Sequence, residues 1–139
     1  MKDVLKRIED YFLGRDRSMD VWAPDVVIEA PFAPPGQPRR FENRDAFVAA
    51  TRAARESLQV RFESLTWTAV HETTDPEVLV LEYELGGMVL TTGKEASAPF
   101  VAVLRVRDGQ IVHWREYQDK LAIAAALGEL PTLDAYTQS

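Results

Sequence analysis

The chain of 139 residues contains no cysteine. That absence excludes disulfides, thiolate nucleophiles and thiolate metal sites together, and it fits a reducing compartment. Histidine is scarce as well. His71 and His113 stand alone, without a second imidazole at ligand spacing, so no metal site is expected. No apolar run approaches the ~18 residues of a membrane span, and the opening MKDVLKRIEDYFLG breaks its apolar residues with charges at every turn. A cytoplasmic protein with neither a signal peptide nor a membrane partner is the expectation. The formal net charge is −6 and no Lys/Arg stripe overrides it, which argues against a nucleic-acid partner. There is no G-x-S-x-G elbow, and Gly86-Gly87 is no phosphate cradle, so serine-hydrolase and nucleotide-binding readings find no support.

What is present is a globular composition, 46% hydrophobic and 27% charged, long enough for one domain with one core. A single domain over 1–139 is expected, with its core over about 1–128 and a C-terminal tail over 129–139. Val4, Leu5, Ile8, Tyr11 and Phe12 recur at helical spacing, with Gly14 placed to end the helix. A strand is expected over Val26–Phe32, after Pro24. APPGQPRRFENRD reads as loop, and Asn43 or Asp45 can cap a second helix running to about Leu58. The period then changes from 3.6 to 2. Four strands fit: Gln59–Glu72 with a bulge near Glu63-Ser64, a second from Val78 that Gly86-Gly87 interrupts, and the two arms of a hairpin. A last helix is expected over Lys120–Leu127, stopped by Gly128 and Pro131. Two helices followed by a long bent antiparallel sheet give an α+β fold: a cone-shaped sheet wrapped around the N-terminal helices, an α+β barrel. Its mouth would hold a ligand and its convex face a second copy.

The hairpin VAVLRVRDGQIVHWREYQD carries the chemistry. Asp108-Gly109 between alternating runs signals a type I′ turn, which wants positive φ at both central residues. Beyond it, Val112, Trp114, Glu116 and Gln118 face one way, and Ile111, His113, Arg115 and Tyr117 the other. A triad through His113 and Glu116 is therefore not expected. On the Val78–Leu85 strand, Leu79, Leu81, Tyr83 and Leu85 make one apolar face, and Glu82 and Glu84 share the other with Val78 and Val80. By that pattern alone the leucine face is core and the glutamates lie outside; a dimer burying the convex face would reverse it. Trp114 lines a pocket or packs a core, as does Phe100 with Ala102 and Leu104. Trp22 and Trp67 read as core.

The element order, the segment EAPFAPPGQPRRFENRDAF and the ending RVRDGQIVHWREYQD resemble the nuclear-transport-factor-2-like superfamily, in its SnoaL-like branch of polyketide cyclases, ketosteroid-isomerase-related proteins, epoxide-hydrolase-like enzymes and phenazine-biosynthesis proteins. The resemblance spans roughly the first helix to Asp119. It places Glu116 where epoxide-hydrolase-like members carry an active-site aspartate and phenazine-biosynthesis members a catalytic glutamate. Glu29 matches a polar pocket position. Glu84 and Glu82 fall on the strand where epoxide hydrolases carry an Asp and an Arg; here that arginine is missing, which disfavours epoxide hydrolysis.

The resemblance implies a cofactor-independent acid/base enzyme of isomerase, cyclase or dehydratase type, acting on a small apolar carbonyl compound such as a polyketide or steroid-like intermediate. Glu116, Glu29 and Glu84 are its catalytic candidates, and Trp114, Phe100 and Glu82 its substrate-binding ones. Burial raises a carboxyl pKa and a second carboxylate raises it further, which would let one acid stay protonated near neutrality. A homodimer is expected. The alternative is a non-catalytic ligand-binding or assembly module on the same scaffold, because this fold does not fix a reaction.

Overall fold

The computed structural model describes residues 2–58 and 60–128. The elements run α1 (Lys2–Phe12), β1 (Trp22–Glu29), β2 (Arg40–Phe41), α2 (Arg44–Leu58), β3 (Val60–Glu72), β4 (Val78–Val89), β5 (Lys94–Arg107), β6 (Gln110–Gln118) and α3 (Lys120–Ala126). The six strands form one curved sheet in the order β2-β1-β6-β5-β4-β3. The α+β cone is as expected; the sheet is open, and one parallel pair makes it mixed rather than the wholly antiparallel sheet expected. β1 runs parallel to β6, while every other neighbouring pair is antiparallel. Strands β3 to β6 follow one another as a meander, so β1 reaches its place beside β6 only through a long crossover, which a parallel pair requires.

Helix α1 closes the cone. Its 3.6-residue stripe buries Val4, Ile8 and Tyr11, and Gly14 ends it at φ +75°, its N–H bonded to the Tyr11 carbonyl. Strand β1 begins earlier than expected, at Trp22, and stops at Glu29, where Pro31-Phe32 enter a turn. Pro24 is tolerated because the β1–β6 register slips between Trp22 and Val27, leaving no ladder bond for its missing N–H. Asn43 Oδ1 accepts from the Ala46 N–H and caps α2. Asp119 does the same for α3, accepting from Ala122, and α3 gives way at Gly128. Pro131 and the tail lie outside the described residues.

The expected β3 bulge lies where Phe62 pairs with Gly87 and Ser64 with Gly86, leaving Glu63 as the extra residue. It explains the two glycines. β4 is continuous through them rather than interrupted, and a Cβ at Gly87 would stand 2.4 Å from the Arg61 carbonyl oxygen. Only a residue without a side chain lets the bulged strand approach so closely. In the β5–β6 turn, Asp108 and Gly109 both take positive φ, 52° and 77°.

Candidate active site

The interior of the cone is built from the inward faces of β4, β5 and β6. Register places Leu81 opposite Ala102 and Ala102 opposite Glu116; one pair along, Tyr83 lies opposite Phe100 and Phe100 opposite Gln118. Leu79, Leu81 and Tyr83 are buried, as the strand pattern predicts, and so are Ala102, Leu104 and Trp114. The expected β6 face holds from Trp114 to Gln118 and fails at Val112. A bulge there, where Arg105 pairs with His113 but Val106 with Ile111, turns Ile111 inward to complete burial.

Glu116 is the carboxylate that this face presents to the interior. Tyr83 Oη donates to its Oε2 at 2.5 Å, and Gln118 Nε2 donates to its Oε1 at 3.3 Å. β4 and β6 are two strand spacings apart, roughly 9 to 10 Å. The crossing is diagonal: on β5, Phe100 lies opposite Tyr83 and Ala102 opposite Glu116, and the Ala102 methyl leaves space beside the carboxylate. Rings crowd the pair. Tyr83 stacks on Phe100 at 5.4 Å and 13°, meets Trp67 edge-on at 5.5 Å, and lies against Phe12 and Trp114.

Burial is the largest influence on Glu116 and raises its pKa above the ordinary 4.5; hydrogen bonds from Tyr83, Gln118 and Trp114 oppose it in that order and do not cancel it. These donors are neutral. The carboxylate is thus crowded by protein, its bonds coming from neutral donors, while the residue as a whole stays partly exposed. The Tyr83 phenol is pushed well above its usual range, first by burial and then by the Glu116 charge, so it stays a donor at any ordinary pH.

The other acidic candidates do not join it. Glu29 registers with Arg115, and its Oε1 bonds His113 Nε2 at 2.6 Å with Arg40 at 3.7 Å; its pKa is lowered, chiefly by the His113 bond. Strand parity puts that cluster on the sheet face opposite Glu116. Glu82 lies on the outer face against His71, 2.6 Å away, and Glu84 is exposed beside it. This corrects the expectation of a carboxylate group: inward-facing Leu79, Leu81 and Tyr83 oblige alternate residues on β4 to point out. Of the aromatic candidates, Trp114 forms part of the floor, with almost no exposed surface, and Phe100 stays partly exposed on Tyr83.

Tyr83 and Gln118 bond Glu116 and Ala102 lies opposite it, and none of the three was among the candidates. The pattern did hold one clue, that Tyr83 is the only hydrogen-bonding side chain on the otherwise aliphatic Leu79–Leu85 face. Among the described residues no group of three His, Cys, Asp or Glu side chains could hold a metal. Two shallow surface clefts lie elsewhere, one of about 270 Å³ beside Arg44 and Arg52, the other of about 390 Å³ over the β3 bulge.

Comparison with known proteins agrees with this architecture. Residues 14–114 match the SnoaL-like domain. A PhzA/B-like protein of Pseudomonas aeruginosa is 37% identical over 109 residues, 78% of this chain and 75% of that protein. The crystal structure of a provisional isomerase from Bacillus subtilis superposes with a TM-score of 0.79 at 29% identity, covering 91% of each chain. A phenazine-biosynthesis-related protein of Pseudomonas aeruginosa has a TM-score of 0.68 at 19% identity, over 95% of this chain and 87% of that one, and shares the fold. The chain belongs to the SnoaL-like domain family.

Proposed function

We propose that this SnoaL-like protein is a cofactor-independent acid/base catalyst that moves a proton next to the carbonyl of a small, mostly apolar molecule, in an isomerisation, ring closure or dehydration. The observation that carries the reading is the state of Glu116: an inward-facing carboxylate on a partly exposed residue, its pKa raised by burial and its hydrogen-bond partners all neutral. General acid/base catalysis is most effective when the catalytic pKa approaches the working pH, and desolvation moves a glutamate in that direction. Glu116 is the proton carrier, and the partly exposed Phe100, with Trp114 in the floor beneath, supplies an apolar surface that suits a polyketide-like or steroid-like ring. The provisional isomerase of Bacillus subtilis and the PhzA/B-like protein are compatible with such chemistry. Epoxide hydrolysis is the weaker reading, because no guanidinium joins the bonds to Glu116.

Chemistry at a carbon next to a carbonyl leaves a mark that does not depend on the natural substrate. The protein is incubated in D2O with a panel of aromatic polyketides, steroid enones and terpenoid ketones, and deuterium uptake beside the carbonyl is followed by NMR. Uptake or conversion that Glu116→Gln abolishes supports the reading. Thermal stabilisation by a ligand that is never exchanged or converted supports the rival, a non-catalytic binding module.

We also propose a cytoplasmic homodimer, joined through the outer sheet face. Val78, Val80, Val101 and Val103 share that face, all only partly buried, and the His71–Glu82 pair and Arg105, bonded to Asp75 and Glu77, border them. An apolar centre with a charged rim suits a partner surface.

A further inference from the structure

We propose that Tyr83 is a positioning residue that pins Oε2 of Glu116, leaving Oε1, which Gln118 meets at 3.3 Å, as the atom that exchanges a proton with the bound molecule. This rests on the acid/base reading of Glu116. The two carboxylate oxygens are treated very differently. Oε2 takes a phenol O–H at 2.5 Å, within the charge-assisted range, from a ring that is itself clamped: Tyr83 is 1% exposed and held between Phe100 and Trp67. Oε1 takes one amide N–H at 3.3 Å, long for such a contact, from a side chain that is partly exposed.

The consequences follow from the chemistry of each donor. Tyr83 remains protonated, so it can neither take the substrate proton nor release its bond to Oε2 without leaving a buried hydroxyl unpaired. Gln118 sits at the end of β6, opposite Phe100, and loses little when its amide turns away. It therefore occupies the place of the ligand's polar group, and its carboxamide is positioned to bond that group when the molecule enters. The proton balance is simple. The C–H bond beside the carbonyl breaks, its electron pair passes to the carbonyl system, and the proton goes to Oε1 and returns to the product from there. No other reactant is needed. Ala102 belongs to the same arrangement, since a β-branched residue opposite Glu116 would crowd the carboxylate that Tyr83 reaches.

The test is a carbon-13 titration of the Glu116 carboxyl in the whole protein and in two variants. Losing the pinning bond in Tyr83→Phe removes the strongest stabilisation of the charged form, so the ionisation constant falls by about tenfold or more. Losing the weaker one in Gln118→Leu changes it by less than about threefold. Equal effects, or no movement in Tyr83→Phe, overturn the assignment. Should Tyr83→Phe fail to fold, Ala102→Val retains the phenol and separates the pair; an unmoved Glu116 midpoint in folded Ala102→Val equally overturns it. Failure here is distinct from failure of the function. If Glu116→Gln leaves deuterium exchange unchanged, the acid/base reading falls while the clamp can stand. If exchange is lost in Glu116→Gln but the titration is insensitive to Tyr83, the clamp falls alone.

Discussion

The Tyr83 hydroxyl meets Glu116 Oε2 at 2.5 Å although an entire strand runs between them. Side chains from next-nearest strands seldom touch, since the central strand's own residue normally fills the gap. Here that residue is Ala102, fully buried and opposite Glu116 in register. The small residue on β5 leaves room beside Glu116 for the phenol to reach it.

Enlarging Ala102 should uncouple them. Ala102→Val places two extra methyl groups in the crossing and should destabilise the fold by about 1–3 kcal/mol. The diagnostic measurement is a double-mutant cycle by urea denaturation. Tyr83→Phe in the wild-type background should cost about 1.5–3 kcal/mol, the worth of a hydrogen bond to a charged group, and distinctly less once Val occupies position 102. Equal costs in both backgrounds would mean that Ala102 does not govern the pair.

Glu116 should make stability depend on pH in a defined direction. Its folded pKa lies above the ordinary 4.5, so between those values the native state holds a proton that the unfolded state has released. Stability from this group is therefore fully present below about pH 4.5 and is lost as pH rises through the folded pKa. Glu116→Gln removes the titration while keeping an oxygen to accept from Tyr83. Its melting temperature should exceed the wild type's at about pH 8 by a margin that shrinks toward about pH 4.5. A margin that widens on acidification would contradict the raised pKa.

The glycine pair on β4 should respond unequally. A Cβ at Gly86 meets the Ser64 hydroxyl at 2.6 Å, whereas one at Gly87 meets the Arg61 backbone oxygen at 2.4 Å. A hydroxyl can rotate or be deleted, and a strand backbone cannot. Gly87→Ala should cost more than Gly86→Ala, by about 1–3 kcal/mol, and Ser64→Ala should relieve Gly86→Ala only. The check is denaturation of the three single variants and of the two double variants that carry Ser64→Ala.

Dimerisation through the outer face predicts twice the chain mass in sedimentation equilibrium at micromolar concentration. Val80→Lys, a charge at the centre of the valine patch, should return the protein to monomers. A wild-type monomer would remove the proposal.

Much of this architecture is readable from residue order. The period-2 stretch after Leu58, the Asp108-Gly109 turn and the bulge at Glu63 all announce themselves, because each depends on local stereochemistry. The parallel β1–β6 pairing does not, since it depends on where a long crossover returns. The site divides in the same way. Glu116 is legible from its strand face together with the family resemblance, and Glu82 and Glu84 are legible as outward residues from alternation with Leu79, Leu81 and Tyr83. The resemblance drew those two, and Glu29, toward a pocket; strand parity and the pairings Glu82–His71 and Glu29–His113 hold them on the opposite face. Tyr83 escapes notice because its role needs the register of three strands and the smallness of Ala102 at once, and no local pattern encodes that.

The central claim is that Glu116 is a desolvated proton carrier held by neutral donors. A carbon-13 NMR titration of its side-chain carboxyl, assigned by Glu116→Gln, measures this directly and needs no substrate. The midpoint should lie above 4.5. A midpoint at or below 4.5 would show a carboxylate stabilised in its charged form, and would contradict the account.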